Sequence, residues 1–184
     1  MTCYGGGMTT VCVVDIDTTL ANNDHRASLL EKDSNGNIPQ ASWDAFLRHD
    51  LMLKDTPQKH ALDVLNYMRG HGFKIVFLTG RNIRHSVGTR LWLKEHMGWD
   101  ESSEPLLMRR AEDVNVPASQ CKEALFLDYV QSSGVASNTT FLFFEDDKHV
   151  IAMWRKYGLV FQCPEAWQWM NPEAPQHPES AWNR

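Results

Sequence analysis

The chain has 184 residues, 42% of them hydrophobic and 22% charged, with a formal net charge of −5. That length and apolar content fit one globular domain with a core of its own, while the negative balance excludes the basic surface by which proteins usually grip long duplex nucleic acid; any nucleic-acid contact is expected to be local, at a strand end. No apolar run approaches the ~20 residues that span a bilayer, and the amino-terminal segment lacks the basic and apolar stretches of a secretory signal, so a cytoplasmic location away from membranes is expected.

In chain order, Met1 to Gly7 carries three successive glycines and reads as a loose tail. Val11 to Asp15 reads as a strand buried in a parallel sheet, because its four leading residues are apolar without alternation. Leu20 to Asp55 is mixed and polar, with turn signals at Asp33-Ser34-Asn35-Gly36-Asn37. It predicts an insertion with one or two short helices around Trp43 to Arg48. Thr56-Pro57 predicts a helix start, with Thr56 as cap and Pro57 at the first position. Ala61, Leu62, Leu65 and Met68 give that helix an apolar stripe, ended by Gly70 and Gly72. Phe73 to Leu78 predicts a second buried strand, closed by Thr79-Gly80-Arg81. A helix follows over Ile83 to His96, with Val87, Leu91 and Leu93 as its apolar positions. Pro105 to Met108 predicts a third strand and Pro117 to Val130 another helix. Thr140 to Phe144 predicts a fourth buried strand, ending in Glu145-Asp146-Asp147; Val150, Ile151 and Trp154 mark a helix and Leu159 to Gln162 a last strand. Residues 164–184 hold four of the eight prolines and three tryptophans, and are expected to wrap the body or fray. The four cysteines form no C-x-x-C pair, which argues against a zinc or dithiol site and for a reducing compartment; Cys12 reads as core.

Alternating strands and helices predict an open α/β fold, a mostly parallel central sheet flanked by helices. The expected organisation is a single domain over 1–184, with a core of about 9–163, a small cap insertion at about 20–55 and a tail at 164–184. Ligands of such sheets gather at the carboxyl ends of strands. Asp15, Asp17, Thr79, Arg81, Arg109, Asp146 and Asp147 all fall at those ends.

Two acids at the mouth of an apolar strand are costly unless something cationic compensates them. A hard divalent metal and a phosphate ester would do so together, and one acid could then attack phosphorus while its neighbour moves the proton. Asp15-Ile16-Asp17-Thr18-Thr19, Thr79-Gly80-Arg81, Lys122 and Asp146-Asp147, in that order, resemble the four motifs of haloacid-dehalogenase-superfamily phosphatases. Asp24-His25-Arg26, Met108-Arg109 and the run from Asp146-Asp147 through Met153-Trp154-Arg155 to Gly158 further resemble the phosphatase half of bacteriophage polynucleotide kinase/phosphatases. The likeness covers most of residues 11–163. It implies a Rossmann-like haloacid-dehalogenase fold and magnesium-dependent removal of a phosphate, with a 3′ end of DNA or RNA as substrate. On that resemblance Asp15 is the nucleophile and Asp17 the general acid and base. Thr79 and Lys122 hold the phosphoryl oxygens, and Arg26, Gly80, Arg81 and Arg109 meet the substrate. Asp15, Asp17 (through its backbone carbonyl), Asp146 and Asp147 bind Mg2+, and Asp147 could also cap the following helix.

Two positions depart from the family pattern. Thr18 stands where many relatives have glycine, and Asn115-Val116-Pro117 stands where relatives often carry a basic residue. No G-x-x-x-x-G-K-[ST] phosphate loop occurs, so a nucleoside triphosphate donor is not expected. The basic set Arg81, Arg84, His85, Arg90, Arg109 and Arg110 could ring the pocket, and Trp43 and Phe46 could either stack a base or pack the insertion. A phosphatase of free nucleoside monophosphates is the alternative to a polynucleotide 3′-phosphatase, and a non-catalytic phosphate-binding module a further one. A receiver domain also uses Asp, Thr and Lys around magnesium, but has them in another order along the chain.

Overall fold

The computed structural model describes residues 9–170; the expected amino-terminal tail and residues 171–184 of the carboxyl-terminal one lie outside them. The elements run β1 (Thr10–Val14), β2 (Ala21–Asn22), α1 (Asp24–Ala27), α2 (Gln40–Phe46), α3 (His49–Met52), β3 (Thr56–Pro57), α4 (Ala61–Gly70), β4 (Lys74–Asn82), a 3-10 turn (Ile83–His85), α5 (Ser86–Met97), β5 (Leu106–Arg109), α6 (Ala118–Ser132), β6 (Thr140–Glu145), α7 (Lys148–Trp154), β7 (Leu159–Gln162) and α8 (Glu165–Met170).

Five strands form one parallel sheet in the order β5-β4-β1-β6-β7. This is the doubly covered α/β sheet that the alternation predicts. β1 lies at its centre, flanked by β4 and β6 through Val11 opposite Lys74 and Phe141. The pleat explains the unbroken apolar run: Cys12 and Val14 enter the core on one face and Val11 and Val13 that on the other, all at 3% exposure or less. Ile75 and Phe77 against Val76 and Leu78 divide in the same way along β4.

Three expectations are corrected. Thr56-Pro57 does not open a helix. Thr56 pairs with Asn22 and Pro57 with Ala21 in a two-stranded antiparallel ribbon, and α4 begins only at Ala61, after His60 in the left-handed region at φ 67°. A short edge strand tolerates proline as readily as a first helical turn does. β4 does not stop at Leu78 but runs through Thr79-Gly80-Arg81 to Asn82, with a register shift between Thr79 and Asn82 where it pairs with β5. In α5, Val87 (63% exposed) and Leu91 face solvent, and the inward stripe is Gly88, Thr89, Trp92, Leu93 and Met97. A Cβ on Gly88 would lie 2.7 Å from Met52 Cε, so that glycine lets α3 seat directly on α5.

The chain after residue 163 is not a loose appendage at its start. Trp167 is fully buried, stacks on Phe144 at 4.8 Å and donates from Nε1 to Thr19 O at 2.7 Å. Burial of one such side chain is worth roughly 1.5–3 kcal/mol, and this contact pins the turn that follows β1. The insertion between β1 and α4 carries α1, α2 and α3 on the β2/β3 ribbon, standing over the carboxyl ends of the sheet strands.

Candidate active site

β1, β4, β5 and β6 all point their carboxyl ends toward one cavity of about 750 Å³, within the range of small-molecule sites, about 300–1,000 Å³. Asp15, the first residue past β1, donates its amide to Phe144 O at 3.0 Å and is buried. The chain then turns sharply: Ile16 O accepts the amides of Leu20 (2.8 Å) and Ala21 (2.9 Å). Thr18 holds φ 62° to make that turn, a left-handed conformation that favours glycine and strains a β-branched residue. The turn carries Thr19 to the end of β6, where its hydroxyl donates to Asp146 Oδ1 at 3.2 Å.

At the centre stands Lys122 of α6, with only 4% of its surface exposed. Its Nζ donates to Asp15 Oδ1 and to Glu145 Oε2, each at 2.7 Å. Asp15, Glu145 and Asp146 bring carboxylate oxygens within 4.8 Å of one another. Three carboxylates against one ammonium leave two negative charges uncompensated in a buried place. Burial, only partly offset by Lys122, pushes the Asp15 carboxyl up to about 7. Burial and the neighbouring Asp15 charge push Asp146 to about 6, and burial raises Glu145 as well. The donor set is all oxygen and the excess charge is two, which fits a hard divalent cation such as Mg2+.

Asp17 belongs to a second, adjoining network. Arg81 grips it side-on, Nε to Oδ2 at 2.8 Å and Nη2 to Oδ1 at 2.8 Å; Arg26 Nη2 adds 3.0 Å and Asn23 Nδ2 3.1 Å. Burial works against its charge, but the two guanidiniums hold the Asp17 carboxyl well below the usual carboxylate range. Behind them lies Asp55, 1% exposed. It receives Arg26 Nε at 2.7 Å and Nη2 at 2.6 Å, and His25 Nε2 sits 3.0 Å away. Trp92 Nε1 donates to Asp55 O at 2.8 Å and locks its backbone.

The sequence-derived site residues therefore divide. Asp15, Lys122 and Asp146 meet in the cluster. Asp17 and Arg81 border the same cavity as a clamped pair. Arg26 does not border the cavity: every one of its nitrogens is committed to Asp55, Asp17 or Phe46 O. The expectation that it meets substrate is corrected, and it acts on Asp17 instead. Thr79 is wholly buried and does not border the cavity, and its hydroxyl accepts the Arg81 amide at 3.1 Å, so the expectation that it holds phosphoryl oxygens is corrected. Gly80 lines the cavity beside Arg109. Arg109 Nε donates to Gly80 O, and Nη1 donates to Asp113 O and Val116 O; Nη2 makes no hydrogen bond among the described residues. Asp147 borders the cavity outside the carboxylate cluster and caps α7, accepting the amides of His149 and Val150. Of the wider basic set, Arg90 pairs with Glu101 and Arg110 with Asp128, and neither borders the cavity.

Glu145, Asp55 and Asn23 are site residues that sequence reasoning missed. Glu145 had a signal, an acid closing an apolar strand directly before Asp146-Asp147. Asp55, at the far end of a polar insertion, had none.

A parallel α/β sheet with an acid-bearing turn after its central strand and a lysine-bridged carboxylate cluster at its carboxyl end is the arrangement of a phosphatase of the haloacid dehalogenase superfamily. Residues 33–166 match the model of the polynucleotide kinase PNKP phosphatase domain, and the chain belongs to that family. The match begins after Asp15 and Asp17 and includes Arg81, Lys122, Glu145 and Asp146. Among solved structures the chain is similar to the Pnkp1/Rnl/Hen1 complex, with 23% identity, a TM-score of 0.60, 84% of this chain and 45% of that chain. It is also similar to a phospho-aspartyl intermediate analogue of phosphoserine phosphatase, with 14% identity, a TM-score of 0.55 and 85% and 87% coverage of this chain and that one. CbbY from Rhodobacter sphaeroides in complex with phosphate gives 13% identity, a TM-score of 0.56 and 95% and 92% coverage. At these identities the likeness is one of fold. The chain spans less than half the length of the Pnkp1/Rnl/Hen1 chain it matches. No curated protein sequence matches it.

Proposed function

We propose that this phosphatase removes the phosphate from the 3′ end of a nucleic-acid strand, in two steps through a phosphorylated Asp15, with Mg2+ as cofactor. The observation that carries this reading is the convergence of Asp15, Glu145 and Asp146 around Lys122 at the carboxyl end of the sheet. Family membership and the likeness to a Pnkp1/Rnl/Hen1 RNA repair complex support the choice of a polynucleotide end.

Asp15 and Asp146, with the Asp17 backbone carbonyl, would hold Mg2+, and Glu145 would add negative charge beside it. When bound, the ion neutralises the excess charge of the cluster and offsets repulsion between carboxylate and phosphate. In the first step an Asp15 carboxylate oxygen attacks phosphorus in line, and the bond from phosphorus to the 3′ oxygen breaks. The leaving alkoxide needs a proton; Asp17, which Arg81 and Arg26 keep ionised in the structure, would first take one from solvent as substrate loosens that grip and then pass it on. In the second step water attacks the aspartyl-phosphate, its proton passes to Asp17, and the bond from Asp15 to phosphorus breaks to release inorganic phosphate. Lys122 Nζ, already on Asp15, stays within reach of the transferring phosphoryl oxygens and stabilises their charge. The uncommitted Nη2 of Arg109 supplies a further donor at the cavity wall, while Arg81, whose nitrogens are committed to Asp17, Asp55 and Thr89, serves by holding Asp17. Thr79 serves by holding the Arg81 amide, and Asp147 by fixing the start of α7 beside Asp146. The described elements serve as one phosphatase unit, with the insertion as its cap.

The test compares phosphate release from 3′-phosphorylated oligonucleotides with release from nucleoside 5′- and 3′-monophosphates. A preference of about a hundredfold in kcat/KM for the oligonucleotide, about 2.7 kcal/mol of transition-state discrimination, is expected. The reverse preference would make the enzyme a nucleotidase.

A further inference from the structure

The catalytic cavity has an apolar wall for which phosphoryl transfer has no use. Of the large hydrophobic side chains exposed among the described residues, Trp43 alone borders the cavity that holds Asp15; Val87, Leu91 and Leu159 face solvent elsewhere. Trp43 is 38% exposed. Leu30, Ile38 and Val116 border the same cavity. The indole and the carboxylate cluster line one cavity, and an exposed ring there offers a flat apolar face to a planar ligand.

The ring is held in place before any ligand arrives. Phe46, one helical turn on and 3% exposed, meets it edge-on with centroids 5.9 Å apart at 86°. Arg26 lies over the Phe46 ring at 3.8 Å and donates from Nη1 to Phe46 O at 2.7 Å. The same guanidinium grips Asp17 at 3.0 Å. One buried arginine thus ties the aromatic wall to the acid that serves the reacting phosphate, so the distance from ring to reaction centre is fixed by the fold. Pre-organised aromatic surface binds at low entropic cost, because only two side-chain torsions need freezing.

From this geometry we infer that Trp43 is the stacking platform for the nucleobase of the nucleotide whose phosphate meets Asp15. The inference deepens the polynucleotide-end reading and rests on it. Stacking tolerates any base, since each has a π face, and it needs none of the positive surface that a chain of net charge −5 lacks.

The test measures KM and kcat for the wild-type protein, Trp43→Ala and Trp43→Phe on a 3′-phosphorylated oligonucleotide, on the same oligonucleotide with an abasic terminal residue, and on a nucleoside 3′-monophosphate. Trp43→Ala is expected to raise KM for the base-bearing oligonucleotide about ten- to a hundredfold, with kcat within about threefold, and Trp43→Phe to keep most of the affinity. On the abasic substrate the wild-type KM rises to the Trp43→Ala value and the substitution adds nothing further. A parallel KM rise on the nucleoside monophosphate shows the same ring under a free nucleotide and supports the platform; a monophosphate KM unmoved by Trp43→Ala while its own base still matters overturns it. An unchanged KM on the oligonucleotide, or an equal loss on base-bearing and abasic ends, also overturns the platform alone. No phosphate release by the wild-type protein from any 3′-phosphorylated substrate, with release from other monoesters, overturns the polynucleotide-end reading and the platform with it.

Discussion

Replacing Lys122 with methionine keeps an unbranched side chain only one atom shorter and removes its charge. In the wild-type protein the ammonium is, among the described residues, the single cation hydrogen-bonded to the buried carboxylates of Asp15 and Glu145, 2.7 Å from each. Without it those carboxylates face one another and Asp146 with nothing between them. Breaking a buried pair by removing one partner costs about 3–5 kcal/mol. For a domain of this size each kcal/mol moves Tm by about 2–4 °C, so Lys122→Met is expected to lower Tm by about 6–20 °C in EDTA at pH 7.5. Charge balance then dictates the rescue. Adding Glu145→Gln removes one of the two abandoned carboxylates, and the double variant is expected to regain half or more of the lost Tm while remaining inactive. Thermal unfolding followed by circular dichroism reads both numbers. A Lys122→Met variant within about 2 °C of wild type, or a double variant no more stable than the single one, would refute the charge-compensation reasoning.

Three further outcomes follow from particular contacts. Thr18 sits at φ 62°, where a side chain with a Cβ loses about 1–2 kcal/mol and glycine pays about 0.5–1 kcal/mol in entropy, so Thr18→Gly is expected to raise stability by up to about 1 kcal/mol in urea titration; a loss would show that the turn is unstrained. Arg26 clamps Asp17 from outside the cavity, and lysine cannot reproduce its fork, so Arg26→Lys is expected to lower kcat at least about tenfold with KM within about threefold; a change confined to KM would return Arg26 to the substrate. Asp15 and Asp146 titrate near 7 and 6 in the folded protein against about 3.9 when unfolded. The folded state therefore keeps protons that the unfolded chain has lost, and without a divalent cation the contribution of these groups to stability falls as pH rises from about 4 to 7. A cation needs them ionised, so saturating Mg2+ is expected to raise Tm more at pH 8 than at pH 5, and equal shifts at the two pH values would contradict the cluster as its site.

Local pattern carried the parallel sheet and much of the site. The unbroken apolar runs at Val11–Val14 and Phe141–Phe144 fit a strand covered on both faces, and the acids that close them mark where the strands open to solvent. Asp15, Lys122 and Asp146 were legible because their motifs recur in a fixed order. Thr18, where many relatives have glycine, adopts a left-handed turn that its own residue type does not announce. The rest depends on distant partners. Arg26 resembles a substrate-facing residue until Asp55, 29 positions on, is seen to enclose it. The inward face of α5 is set by Gly88, through which Met52 approaches, rather than by Val87 and Leu91. Thr56-Pro57 satisfies the rules for a helix start and for an edge strand alike, and its pairing with Ala21 and Asn22 decides between them.

The most direct test is capture of the covalent enzyme. The protein is mixed with a 3′-phosphorylated oligonucleotide carrying a labelled terminal phosphate and Mg2+, quenched in acid within one turnover, and digested for mass spectrometry. Label on the peptide that contains Asp15, absent from Asp15→Asn and from reactions in EDTA, is the expected result. Rapid phosphate release with no label on the protein, or full turnover by Asp15→Asn, would contradict it.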